Sequence, residues 1–210
     1  MSPMHEFTDV LFALLLRMDA EAVPTTDGVP TGLNWYGKHR HPHQVKPQTE
    51  PCWSQRLAEL LSEFGFHADK EMRYPADSAC TDRRMCDNVV ILPNNSILWM
   101  ENKGAWKEWW RKRGKVGKFR SHLLESGNSA RHDVEKIAAL CEPHANWVAI
   151  LLIGFDAAVC PMEPDVADFR TIADLDKEPW RSASMHWPDR WREGQQVHAW
   201  LWWRPALDQA

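Results

Sequence analysis

Apolar residues recur close to helical spacing over 4–18, at Phe7, Val10, Leu11, Ala13, Leu14, Leu15 and Met18, and predict a first helix. Residues 19–50 are rich in Pro, Gly, Thr and His and read as a long irregular connection. A second helix fits 53–64, with Trp53, Leu57, Leu60, Leu61 and Phe64 on one side and Gly65 as its stop. A short strand is expected at 69–74 and a loop at 75–82. Residues 84–92 end in Val89-Val90-Ile91-Leu92, a buried-strand pattern; Pro93-Asn94-Asn95-Ser96 reads as a turn, and 97–103 as a second strand, together a hairpin. A helix fits 130–141, with Val134, Ile137, Ala138 and Cys141, and a strongly apolar strand fits 147–155. Residues 164–176 read as a helix and 177–195 as a Trp- and Pro-rich loop. Over 196–203, Val197, Ala199, Leu201 and Trp203 alternate with His198, Trp200 and Trp202, as in a strand.

This order predicts an α/β domain with a mixed sheet. Strands apolar on both faces imply a sheet covered on both sides. With no internal repeat and no convincing linker, residues 1–210 read as one domain. It divides into an N-terminal helix and irregular extension (1–52), a core (53–156) and a Trp-rich C-terminal addition (157–210). An apolar content of 44% beside 26% charged residues suits a globular chain. No stretch of about 18 apolar residues exists to make a plain transmembrane helix. The apolar run Val10–Leu16 is flanked by Glu6, Asp9, Arg17, Asp19 and Glu21, unlike a secretory signal. Five widely spread cysteines lack zinc-knuckle spacing and read as reduced thiols of a cytoplasmic protein. The net charge of −4 means that nucleic-acid binding needs a local basic patch.

Glu101 and Lys103 interrupt an otherwise apolar strand. Side chains two apart share a face, so both project beside Ile97 and Trp99. Burying them costs several kcal/mol unless they are paired or bind something. Asp87 opens the preceding strand, across the turn. An even-length loop would set it on the other face of the sheet; an odd loop or a bulge would set it on theirs. Oxygens from Asp87 and Glu101 suit Mg²⁺, which binds through one or two carboxylates, keeps several waters and meets phosphate oxygens. Lys103 is then placed to position or deprotonate a water, or to stabilise a pentavalent phosphorane. The structural alternative is an internal salt bridge.

The run Arg84-Met85-Cys86-Asp87-Asn88-Val89-Val90-Ile91, followed by Ile97-Leu98-Trp99-Met100-Glu101-Asn102-Lys103-Gly104-Ala105, resembles the core of the PD-(D/E)XK nuclease superfamily, the restriction-endonuclease-like fold. That pattern is an Asp opening a strand, a turn, then Glu-x-Lys ending the next strand. The resemblance covers roughly 53–156 and includes the element order αβββαβ. It implies a restriction-endonuclease-like mixed sheet flanked by helices, with N- and C-terminal additions. It further implies Mg²⁺-dependent phosphodiester hydrolysis, Mn²⁺ being the substitute ion. Asp87 and Glu101 would be the metal ligands and Lys103 the catalytic lysine. An acidic residue on the first core helix often adds a ligand in that superfamily. Glu59 is the candidate here, and a solvated helix charge is its plainer reading. Cys86 stands where Pro often precedes the Asp. Some members of the superfamily have lost cleavage.

Two further features bear on substrate. Lys107, Arg111, Lys112, Arg113, Lys115, Lys118 and Arg120 face a single acid, Glu108, with Trp106, Trp109, Trp110 and Phe119 interleaved. One-signed charge supplies phosphate contacts and the rings can stack on bases; a solvated amphipathic helix is the alternative. Gly114-Lys115-Val116-Gly117-Lys118 is not a phosphate loop, because its glycine spacing is wrong and Phe119 stands where Ser or Thr is needed. Asp133 and Lys136 lie one turn apart on the helix after the Glu-x-Lys strand. There Lys136 either supports the site, touches substrate, or makes an ordinary surface pair. His39, His41 and His43 read as a solvated loop, and Trp200, Trp202 and Trp203 as sheet packing or an interface. The favoured function is metal-dependent hydrolysis of nucleic acid, DNA before RNA, with a homodimer suited to double-strand cleavage and no membrane partner. The rivals are a non-catalytic nucleic-acid-binding or protein-interaction module on the same fold, and a domain whose Glu101–Lys103 pair is merely internal.

Overall fold

The computed structural model describes residues 2–21, 34–36, 45–47, 50–75, 85–106, 123–124, 129–140, 143–156, 161–189 and 194–207. Its helices are α1 (Pro3–Glu21), α2 (Glu50–Glu63), α3 (Ala130–Ala138) and α4 (Glu163–Ile172). Its strands are β1 (Asn34–Tyr36), β2 (Val45–Pro47), β3 (His67–Arg73), β4 (Met85–Ile91), β5 (Ile97–Trp106), β6 (Trp147–Phe155), β7 (Arg181–Pro188) and β8 (Gln196–Pro205). The chain is mixed α/β. β1 and β2 pair with each other, and the other six strands form one sheet in the order β3-β4-β5-β6-β8-β7. All its neighbours are antiparallel except β5 and β6, which run parallel with α3 between them in sequence. Among the described residues, no helix is long and apolar enough to cross a membrane.

Alternation along the central strands divides the core in two. Leu98, Met100, Ala149, Leu151, Ile153, Ala199 and Leu201 point to one face, against Phe7, Leu11 and Leu15 of α1 and Trp53, Leu57 and Leu61 of α2. Trp99, Val148, Ile150, Leu152, Trp200 and Trp202 point to the other, against Val134 and Ile137 of α3 and Val166 and Phe169 of α4. The sheet is therefore covered on both faces, as its doubly apolar strands require. The three C-terminal tryptophans are packing residues, each 5% exposed or less.

Local signals set the ends of these elements. α2 stops at Gly65, whose φ of 93° suits glycine, while Phe66 N donates to Leu61 O and Gly65 N to Ser62 O, both at 3.1 Å. This is a Schellman closure with Phe66 and Leu61 in the same apolar cluster. Gly154 allows close approach: a Cβ there would fall 2.6 Å from Met162 Cε and 2.7 Å from the Trp200 ring.

Residues 19–50 are not all irregular, because β1 and β2 pair within them, and two further expectations need correction. Residues 177–195 are not all loop, because they contain β7. As an edge strand it buries little besides Trp187, so it lacks the apolar run that marks a strand. The hairpin loop is also shorter than its four turn-forming residues imply. Leu92 N donates to Ser96 O at 2.9 Å, leaving Pro93-Asn94-Asn95 as the loop. Asn95 takes a left-handed φ of 62° and Asn94 Oδ1 accepts from Ser96 N at 3.2 Å, the chemistry of a three-residue connection.

Leu151 is fully buried in a central strand. Leu151→Ala should cost about 2–5 kcal/mol in a denaturant titration, the range for deleting a buried leucine. A loss under about 1 kcal/mol would contradict this placement of the core.

Candidate functional site

The odd loop decides where Asp87 lies. β4 pairs with β5 from Ile91↔Ile97 to Asn88↔Met100, and one further step in that register sets Asp87 across from Glu101. Directly opposed residues in an antiparallel pair share a face. The strands part at this step. Instead of continuing the backbone ladder, Asn102 N donates to Asp87 Oδ2 at 2.8 Å. The β3–β4 ladder is interrupted beside the same residue. Lys70 pairs with Asn88 and Met72 with Cys86, but the intervening Glu71 has a φ of 52°. A non-glycine residue held there stores of order 1–3 kcal/mol of strain, and such strain gathers at functional sites.

Glu101 and Lys103 both point toward α3. The helix begins at Ser129, whose side chain accepts from His132 N, and its inner side buries Asp133 and Lys136 together with Val134 and Ile137. Lys136 Nζ lies 2.7 Å from Glu101 Oε1 and 2.8 Å from Asp133 Oδ1. Lys103 Nζ lies 2.9 Å from Asp133 Oδ2. Tyr74, just past β3, donates its hydroxyl to Glu101 Oε1 and stacks on Trp99 at a centroid distance of 5.3 Å. The four charged residues are all interior: Glu101 is 2% exposed, Asp133 4%, Lys103 7% and Lys136 8%. Two carboxylates and two ammonium groups make the chain Glu101–Lys136–Asp133–Lys103 neutral.

The environment acts on the titrating groups in physically distinct ways. Burial by itself would lower the Lys136 pKa. The carboxylates of Glu101 and Asp133 outweigh it and hold the ammonium protonated above the ordinary lysine range. Burial pushes the Tyr74 phenol far up, helped by the negative charges that Cys86 and Glu101 would place beside a phenolate. The Cys86 thiol is raised by burial first, then by Glu101 and Asp87. Its Sγ donates to Met100 O at 3.3 Å, bracing β4 against β5.

The other face carries a separate polar group. Asn102 Nδ2 donates to Ser54 Oγ at 3.0 Å and to Asn88 Oδ1, and Asn88 Nδ2 donates to the Ser54 carbonyl. This trio pins α2 to β4 and β5 where Asp87 and Glu101 sit, behind the charged residues.

Asp87, Glu101, Lys103 and Lys136 thus belong to one region. Glu59 does not join them. α2 covers the opposite face of the sheet, and the Glu59 carboxylate, 49% exposed, pairs with Arg56 at 3.2 Å. The solvated-charge reading is the right one for it. Lys136 makes its i,i+3 pair with Asp133 in the interior rather than on the surface, and its ammonium supports Glu101 instead of facing outward. Lys107, Arg111, Lys112, Arg113, Lys115, Lys118 and Arg120 lie outside the described residues, as do His39, His41 and His43; β5 runs up to the start of the basic segment, at Trp106. Tyr74, Cys86 and Asn102 were not anticipated as site residues. The only sequence signal for Tyr74 was its position at the end of an expected strand.

Among the described residues, no group of three or more His, Cys, Asp or Glu side chains is gathered to hold a metal ion. The carboxylate oxygens of Asp87 and Glu101 are of the type that would suit Mg²⁺ with waters and substrate oxygens. Tyr74 and Lys136 both engage Glu101 through Oε1.

The raised Tyr74 pKa predicts a pH effect of definite sign. An unfolded tyrosine ionises near pH 10, while the folded Tyr74 keeps its proton above that. Its contribution to stability is full below about pH 10 and falls as the pH rises further. In an ultraviolet titration of the folded protein, at most one of the two tyrosines should form tyrosinate by about pH 11. Ionisation of both with near-ultraviolet circular dichroism unchanged would contradict the burial of Tyr74.

Comparison with models of known protein families, with curated proteins and with solved structures finds no match to this chain.

Proposed function

We propose that the protein is a metal-dependent nuclease of the PD-(D/E)XK kind, hydrolysing phosphodiester bonds of nucleic acid, with DNA the favoured substrate. The observation that carries this reading is the position of Asp87. It comes one residue before the last β4–β5 pair, Asn88↔Met100, and its carboxylate accepts from the backbone N–H of Asn102, the residue between Glu101 and Lys103. The order α2-β3-β4-β5-α3-β6, with a parallel β5–β6 pair, agrees with the αβββαβ core of a restriction-endonuclease-like fold.

In this reading Asp87 and Glu101 hold Mg²⁺, or Mn²⁺ in its place. The bound ion supplies an acidified water and neutralises charge on the phosphate undergoing transfer. Asn102 N fixes one Asp87 oxygen, which aims the carboxylate. Lys103 orients the attacking water or stabilises the pentavalent phosphorane through its ammonium, and Asp133 holds that ammonium at 2.9 Å until substrate arrives. The basic residues of 107–120 follow β5 directly in sequence and would meet the flanking phosphates.

A second reading is favoured by the closed charge chain. Each ammonium already has a carboxylate partner, which also suits a catalytically inactive module on the same fold that binds nucleic acid or another protein.

Cleavage assays separate the two. Asp87→Asn and Glu101→Gln should abolish Mg²⁺-dependent DNA cleavage with circular dichroism unchanged. Lys103→Ala should lower the rate by roughly 10²–10³-fold, the range for losing one preorganised donor to the transition state. Undiminished cleavage in all three variants would overturn this assignment of the site, and no cleavage by the parent protein on any nucleic acid would leave the inactive module.

A further inference from the structure

We propose that Lys136 is a tethered counter-ion: its ammonium occupies the cation position at Glu101 in the metal-free protein, and a divalent ion displaces it onto Asp133. The inference rests on reading Glu101 as a cation ligand.

Three observations support the exchange. Lys136 Nζ sits 2.7 Å from Glu101 Oε1, within charge-assisted hydrogen-bonding range and close to where an ion bound to that carboxylate would have to lie. The same Nζ is already 2.8 Å from Asp133 Oδ1. When a divalent ion takes the Glu101 carboxylate, Lys136 keeps an acceptor without any movement of α3. Finally, Asp133 is shared. Its other oxygen faces Lys103 Nζ at 2.9 Å, so one carboxylate can hold both ammonium groups during the exchange.

Charge gives the exchange a direction. Asp87, Glu101 and Asp133 against Lys103 and Lys136 leave one negative charge. A divalent ion turns this into one positive charge, which matches a phosphodiester. A bare Glu101 in this apolar setting would be costly. The tethered ammonium keeps the metal-free fold intact, and it scales the apparent affinity for metal down to the fraction of molecules in which it has already left the cation position.

The test is calorimetric titration of the full-length protein with Mn²⁺. Lys136→Gln should bind Mn²⁺ about tenfold more tightly than the parent, a factor set by the competing occupancy. Asp133→Asn should bind it more weakly, because both ammonium groups then turn on Glu101, and Glu101→Gln should not bind it. An unchanged or weaker affinity in Lys136→Gln overturns the proposal. If that variant does not fold, nuclear magnetic resonance of the parent protein decides. Mg²⁺ should shift the Lys136 ammonium signal at the concentrations that saturate binding, and an unmoved signal overturns the proposal. The nuclease reading fails separately. The expected affinity order without cleavage of any nucleic acid upholds the counter-ion and removes the nuclease. Cleavage with equal Mn²⁺ affinity in parent and Lys136→Gln does the reverse, and no Mn²⁺ binding by any variant overturns both.

Discussion

A carboxylate inside the apolar half of a central strand must meet positive charge or hydrogen-bond donors, and the architecture around Glu101 follows from that requirement. Removing one partner of a buried pair leaves the other uncompensated, at a cost of about 3–5 kcal/mol. Glu101 is met from two directions: the Tyr74 hydroxyl comes from the end of β3 and the Lys136 ammonium from α3. Lys136 in turn needs Asp133, and Asp133 serves Lys103, which returns the chain of charge to β5. α3 is thus fixed to the sheet both by Val134 and Ile137 in the apolar core and by a polar connection that tolerates one rotation of the helix. The neutrality of this connection makes burial of four ionised groups sustainable.

The same constraint gives the sheet two kinds of junction at one place. Behind β5, Ser54, Asn88 and Asn102 join helix and strands by neutral hydrogen bonds. In front, charged groups do so. Between them β4 leaves its ladders at Asp87: Glu71 steps out of extended conformation on one side, and Asn102 N turns to a side-chain oxygen on the other. A pleated sheet keeps its functional side chains at fixed spacing only while the ladder holds. Parting the strands there aims the Asp87 carboxylate toward the backbone next to Glu101, while the buried trio and Cys86 keep the strands from separating further.

Much of this was legible along the chain because the hydrophobic pattern is strong where the sheet is central. Trp147–Phe155 was expected as a strand with the limits it has, since every residue beyond Trp147 is buried and nothing polar interrupts it. Two apolar runs about a Pro-Asn-Asn-Ser turn marked β4 and β5, and the polar pair Glu101 and Lys103 stood out against that background. The position of Asp87 was not legible, since it turns on whether Ser96 belongs to the loop or to the strand, and the left-handed Asn95 decides that. β7 was missed because an edge strand with one wet face carries no apolar run. The choice between the two readings of Glu59 was not legible, because helical spacing shows which residues share a side of α2, not which face of the sheet that helix covers. The interior role of Asp133 and Lys136 was equally hidden. A pair at i,i+3 looks the same on a surface and in a core, and only the arrival of β5 beneath α3 distinguishes them.

The most direct test of the central claim is anomalous diffraction from crystals of the full-length protein grown with Mn²⁺. The account predicts an anomalous peak at roughly 2.1 Å from an Asp87 oxygen and a Glu101 oxygen, a separation in the range for hard-cation coordination, with Lys136 withdrawn to Asp133. Density in which Lys136 still contacts Glu101 and no ion lies between the two carboxylates would contradict it.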